Sequence, residues 1–278
     1  IIIVLVILVS EAFVGMWINS FIVAVNCVGR VKQRCLSSSD TILTVLAFSR
    51  CCFLLKTTLQ TFCSTFYPEI YYQNSIFQAF RAVTWFLNSS NQWFAACLCV
   101  FYCVKIANFS NPLFICLKFK ISRLLPWLLL GSVHYNVNNV TVETSLSHVL
   151  AICGIGFSMA FTVFIISASL LLFSLLRHTR QMQNNSSRFR SPCLEAHIQA
   201  MKAIISFFFI NIVNFIALLI LLTNIYQEIS AASTACTIIV DACPSVHSII
   251  LILSNPKLKK TLIKVLHYTS SSMEKSGK

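Results

Sequence analysis

The sequence predicts an all-α fold: a seven-transmembrane helix bundle with its N-terminus outside and a short amphipathic helix after the seventh span. Three observations predict it. Seven apolar stretches run along the chain, and a spanning helix needs about 20 apolar residues. The 278 residues are 57% hydrophobic and only 10% charged, with mean hydropathy +0.78. A soluble domain carries about 25% charged residues, so this set cannot build a water-facing surface. Finally, the cations sort to one side of the spans, because Lys and Arg resist transfer across the bilayer and mark cytoplasmic loops.

In order, the predicted spans are 1–26, 40–62, 77–107, 121–135, 148–176, 203–224 and 233–253. The inner segments 27–40, 108–123, 177–202 and 256–278, together with Lys105, hold 18 of the 21 Lys and Arg. Arg50, Lys56 and Arg81 are the remainder. The outer segments carry Glu69, Glu143 and Glu228. Seven crossings then leave the C-terminus inside. Residues 1–268 form one seven-transmembrane domain and 269–278 a short cytoplasmic tail, with no room for a separate soluble domain. The net charge of +13 therefore points to anionic membrane lipid and an inner partner, and no aqueous basic domain exists to bind nucleic acid.

Each element has a local reason. No basic leader precedes Ile1–Val9 and the apolar run continues to Val25, so it opens the first span and is not a signal core. Ser37-Ser38-Ser39-Asp40 offers capping side chains to the second. Tyr67-Pro68-Glu69 marks an outer loop. The fourth span is short: Arg123 to Asn136 leaves about a dozen apolar residues, a Pro and a Gly among them. Residues 177–195 are basic and polar, with Asn-Asn-Ser-Ser and Ser-Pro, and predict a flexible inner loop. Beyond Pro256, Leu258, Leu262, Ile263 and Leu266 alternate with lysines at helical spacing, which predicts the amphipathic helix on the inner leaflet.

The thirteen cysteines fall mostly within apolar stretches, where Cys acts as a small hydrophobe. They show no metal-ligand spacing, and no cofactor motif or nucleophile–base–acid set is present. Neither an enzyme, a metal site nor a cofactor is expected.

Ionisable groups at membrane depth are expensive and are functional candidates. Arg50 lies mid-span and must face the interior, toward Asn26. Lys56 and Arg81 lie nearer the outer face, where they can snorkel. Pro244 removes a helix hydrogen bond and frees a carbonyl, and with His247 it makes a locally polar seventh helix. Trp85, Asn88, Asn91, Asn211 and Asn214 lie in the outer halves of the third and sixth spans. The Asn pairs are three apart, so each shares a helix face. They fit a small-molecule cavity or interhelical glue, and spacing leaves both open. Asn139-Val140-Thr141 is the sequon that falls in an outer segment.

Two long motifs resemble a known family. The third span and its inner end read Trp93-Phe-Ala-Ala-Cys-Leu-Cys-Val-Phe-Tyr-Cys-Val-Lys-Ile-Ala-Asn-Phe-Ser-Asn-Pro-Leu-Phe. The seventh reads Pro244-Ser-Val-His-Ser-Ile-Ile-Leu-Ile-Leu-Ser-Asn-Pro-Lys-Leu-Lys. Both resemble the bitter taste receptors (taste receptor type 2), a G protein-coupled family. Further matches follow in order: Gly15…Asn19-Ser-Phe-Ile…Asn26, Leu36-Ser-Ser-Ser-Asp-Thr-Ile-Leu, Phe173-Ser-Leu-Leu-Arg-His-Thr-Arg-Gln-Met and Ala196-His-Ile-Gln-Ala-Met-Lys.

The resemblance implies a plasma-membrane receptor that binds small bitter compounds from outside and activates a heterotrimeric G protein of the gustducin type. It implies a pocket at Trp85, Asn88, Phe157, Asn211, Asn214, Leu218, Thr237 and Val240. It implies a signalling set of Phe101, Tyr102, Lys105, His178, His197 and Lys202, and glycosylation at Asn139; Arg50, Pro244 and His247, by their own chemistry, read either as an activation network or as structural clamps between helices. Two departures stand out. Ala160 occupies the position where the family usually has Pro. The stretch from Trp127 to the sequon is shorter than the family's fourth helix and second outer loop by roughly one span. The alternatives are a vomeronasal-type chemoreceptor, a transporter, and a non-signalling copy.

Overall fold

The computed structural model describes residues 2–33, 38–106, 146–185, 192–223 and 231–276. They form eight helices and no strand is found among the described residues: α1 (Ile2–Gln33), α2 (Ser38–Phe66), α3 (Pro68–Tyr71), α4 (Asn74–Ile106), α5 (Leu146–Asn185), α6 (Pro192–Thr223), α7 (Ala231–Ser254) and α8 (Pro256–Ser276). Six of the seven expected spans fall on these helices. The fourth, 121–135, lies outside the described residues, as does the sequon at Asn139.

Burial differs from that of a water-soluble protein, with large apolar side chains exposed and several polar ones buried. Phe13, Trp17, Phe48, Phe173 and Phe209 are exposed, while Asn19, Asn26, Arg50, Gln92, Asp241 and His247 are buried. Apolar belts of this extent mark contact with lipid. Five helices (α1, α2, α5, α6 and α7) are long and apolar enough to cross a membrane. At 33 residues α4 is also long enough, and its polar run Asn88–Gln92 makes it less apolar than the others.

The long helices pack as a ring. α1 meets α2, α2 meets α4, α4 meets α5, α5 meets α6, α6 meets α7, and α7 closes on α1. Closure of α7 on α1 depends on Gly15. A Cβ there would run into Ser245 Oγ and lie 2.7 Å from Leu54 Cδ1, so the glycine lets the two helices approach without these side chains having to shift.

Two apolar layers fill the ring. Toward the α8 end, Leu43 and Leu46 of α2, Leu98 and Phe101 of α4, and Leu251 of α7 pack together. Toward the α3 end, Phe53, Phe157, Leu218 and Val240 do so. The polar residues of α2, α4, α6 and α7 fall between these layers.

The helices differ from the expected segments in three respects. First, α5 continues to Asn185 and α6 begins at Pro192, so most of the expected inner loop is helical. Its Arg, Gln and Met residues are good helix formers once outside the bilayer, and Pro suits the first turn of a helix. Second, the outer loop after α2 contains the single turn α3, which starts at Pro68. Third, α8 is longer than the short helix expected, and its start has a built cap. Asn255 Oδ1 accepts from the N–H groups of Lys257 (3.0 Å) and Leu258 (3.4 Å), with Pro256 opening the helix. Ala160 is fully buried in α5, which runs unbroken through it.

Candidate functional site

The buried polar layer is organised around Arg50, which is 3% exposed. Its Nη1 donates to Ser248 Oγ at 2.8 Å, and its Nη2 bonds His247 Nδ1. Ser248 Oγ in turn donates to Asn19 Oδ1 at 2.7 Å, and Asn19 Nδ2 donates to the Gly15 carbonyl at 2.8 Å. One chain of bonds thus joins α2, α7 and α1. Arginine suits it because its planar fork reaches two acceptors at once.

The expectation that Arg50 faces Asn26 is overturned. Asn26 Nδ2 reaches the Asp40 carbonyl at 3.5 Å, and its Oδ1 accepts from Lys257 Nζ at 3.4 Å. The reason is the antiparallel pairing of α1 and α2. Asn26 sits seven residues beyond Asn19, about 10 Å along the axis, and so lies opposite the start of α2, while Asn19 lies level with Arg50.

Lys56 also departs from expectation. It is 9% exposed and does not snorkel. Its Nζ bonds Gln60 Oε1 and Thr84 Oγ1 and interacts electrostatically with Asp241, which is buried and bonded to Thr57. Arg81 is half-buried and lies 5.6 Å from the Phe77 ring centroid. Sequence reasoning missed Asp241, as well as Glu11, which interacts with it. Each is a lone carboxylate inside an apolar run, and that was the signal that could have found them.

The expected ligand residues separate into two groups. Phe157, Leu218 and Val240 belong to the apolar layer near the α3 end. Phe157 stacks on Phe215, which also stacks on Phe161 with centroids 4.1 Å apart. Asn88, Asn211 and Asn214 instead line a small polar cavity with Arg50, Gln92 and His247. Trp85 is buried, and Thr237 is half-buried with its hydroxyl donating to the Ser233 carbonyl. The amides therefore floor the apolar cluster, between it and Arg50.

Among the expected signalling residues, Phe101 is 1% exposed and packs into the core. In this conformation it supports α4 and presents no surface to a partner. Tyr102 is half-buried and lines an apolar cavity of about 290 Å³ among α2, α4, α5, α6 and α7 at the α8 end. Lys202 is exposed beside it. Lys105, His178 and His197 stand on α4, α5 and α6, and their side chains are outside the described set. Pro244 is half-buried inside α7, and His247 meets Phe207 edge-on with centroids 3.6 Å apart. No cluster of metal-ligating side chains is found among the described residues.

A closed ring of six long helices around a polar interior, among the described residues, has the packing of the rhodopsin-like seven-helix fold. The crystal structure of squid rhodopsin superposes with a TM-score of 0.63, covering 96% of this chain and 85% of that one at 12% identity, which establishes the fold. The family profile described as "Taste receptor protein (TAS2R)" matches residues 1–149 and 137–270. Taste receptor type 2 member 40 of Gallus gallus is 37% identical over 96% of this chain and 95% of its own length. Taste receptor type 2 member 9 of Macaca mulatta is 34% identical over 98% and 95%. The chain belongs to the taste receptor type 2 family and is a multi-pass membrane protein of the G protein-coupled receptor fold.

The Gallus gallus alignment extends over 295 positions, more than the 278 residues of this chain, so gaps open in this chain. The two profile matches meet at 137–149, next to the expected fourth span.

Proposed function

We propose that this chain is a plasma-membrane receptor for small bitter compounds that activates a heterotrimeric G protein of the gustducin type. The observation that carries the reading is an apolar, aromatic layer (Phe157, Leu218, Val240) floored by amides (Asn88, Asn211, Asn214) directly above the Arg50 network. An apolar cleft with a few polar groups suits small ligands of varied shape. Trp85 and Thr237 complete its walls. The N-terminus and the glycosylated Asn139 face outside, and the basic inner rim with Tyr102, Lys105, His178, His197 and Lys202 faces the G protein.

Binding shifts signalling only if the agonist prefers one helix packing over another. The Arg50–His247–Ser248 contacts join α2 to a helix carrying Pro244, so a ligand wedged against α7 acts on the bonds most able to switch.

The test is an N-terminal epitope stained on intact cells, with calcium recorded against a panel of bitter compounds. Surface staining with calcium responses supports the proposal, and Asn88→Ala then weakens amide-dependent agonists more than purely apolar ones. Retention inside the cell and silence favour the second reading, a non-signalling copy, which the alignment gaps and the two-part profile match support.

A further inference from the structure

We infer that the polar cavity beneath the proposed bitter pocket binds a monatomic anion, chloride in the cell, as the counter-ion of Arg50. The ion would bind regardless of which compounds the pocket above it recognises. The bundle interior carries an unbalanced charge. Arg50 is 97% buried by its 3% exposure, and its partners are a hydroxyl and an imidazole, both neutral acceptors. Among the described residues no carboxylate pairs with it. The carboxylate of the same region, Asp241, is bonded to Thr57 and matched by Lys56, and Glu11 acts on Asp241 from the more exposed α1. A buried, unpaired cation is among the costliest arrangements a protein interior can hold.

The second observation is a surplus of donors around one small space. The cavity holds about 30 Å³, lined by Arg50, Asn88, Asn91, Gln92, Asn214 and His247 among others. Asn88 Nδ2, Asn91 Nδ2 and Gln92 Nε2 are buried without a hydrogen-bond partner. The first two stand three residues apart and Gln92 four from Asn88, so all three project from one face of α4. His247 adds a further donor. Its Nδ1 accepts from Arg50, which fixes the proton of the neutral ring on Nε2, and Nε2 is also buried without a partner. Four unpartnered donors thus belong to residues that, with Arg50, line a space sized for one small ion or about two waters. Asn91 Oδ1 and Asn214 Oδ1 are the acceptors without partners there, and a side-chain amide can turn either end inward. A cation is disfavoured by Arg50, and an organic anion exceeds the volume.

The test uses the purified full chain in lipid nanodiscs, with melting followed at fixed pH and ionic strength while gluconate is exchanged for chloride or bromide. The expected result is a saturable rise in Tm of about 3 °C in both halides. Gln92→Leu removes one donor and fills space, so it melts in gluconate at or above the parent temperature and loses most of the halide increment. Equal melting in gluconate and halide overturns the inference and leaves the cavity to water. A halide increment that persists undiminished in both Gln92→Leu and Asn91→Leu also overturns it, because the ion then binds elsewhere.

Discussion

Arg50 and Ser248 lie 198 positions apart in the sequence and 2.8 Å apart in space, Nη1 donating to Oγ. Because Ser248 also bonds Asn19, the serine hydroxyl is the junction of three helices. Arg50→Ala leaves these acceptors without their donor. It is expected to cost about 1–3 kcal/mol, the range for leaving a buried neutral acceptor unsatisfied, and to lower surface expression. Arg50→Lys keeps the charge and loses one of the two bonds, so it restores expression only in part. Ser248→Ala costs about 1 kcal/mol. Flow cytometry of a surface epitope and melting of the purified protein rank the three variants.

Gly15→Ala is expected to destabilise the bundle out of proportion to the methyl it adds. The new Cβ meets Ser245 on α7 and Leu54 on α2, and pushing the helices apart costs roughly 1–3 kcal/mol. The paired change Gly15→Ala with Ser245→Gly recovers part of the loss, since it removes the oxygen in the way. Melting of the single and double variants checks this.

Lys56 and Asp241 are expected to depend on each other. Lys56→Met alone leaves a buried carboxylate unbalanced and costs about 3 kcal/mol. Adding Asp241→Asn restores most of that stability while keeping a group that can bond Thr57. A double-mutant cycle on the melting free energies isolates the coupling. Additive effects would refute it.

Tyr71, at the end of α3, titrates outside the membrane. Burial pushes its hydroxyl above the ordinary tyrosine value, partly opposed by the bond from Gln60 Nε2 at 2.9 Å. The fold therefore favours the neutral phenol. That stability is complete below the unfolded pKa of about 10 and is lost as pH rises through the higher folded value. Hydrogen exchange near α3 should accelerate above that pH in the parent. In Tyr71→Phe it should start faster and lack the additional alkaline step.

Lys257 Nζ pairs with Asp40 Oδ2 at 2.9 Å where α8 meets α2. The lysine side chain is 39% exposed and the aspartate 15%, so water screens the pair. Lys257→Ala is expected to lower stability by only about 0.5 kcal/mol, and less at high salt. A melting series in increasing salt tests both statements.

The helices were legible because the bilayer demands a run of apolar residues, and that run survives in the sequence whatever it packs against. Partners were not. Whether Arg50 meets Asn19 or Asn26 depends on how far α1 slides along α2, which no local pattern encodes. The continuation of α5 past Arg177 was hidden for a related reason. Outside the bilayer, polar helix and polar loop have similar composition, and only propensity separates them. The expected pocket residues carried a periodicity of three, which located their helix face. It could not reveal that Asn88, Asn211 and Asn214 share a layer with Arg50 while Phe157, Leu218 and Val240 share another.

The contact at Gly15 has a consequence at the level of the gene. Any single-base change in a glycine codon that alters the amino acid, without ending the chain, installs a residue with a Cβ. No such missense step at this codon avoids Ser245 and Leu54. Phe13, two residues earlier, faces lipid at 69% exposure and accepts many apolar replacements. Within a population, inherited variants at neighbouring codons should therefore differ: those at Gly15 lower the amount of folded receptor, increasingly with side-chain size, and those at Phe13 drift as neutral ones.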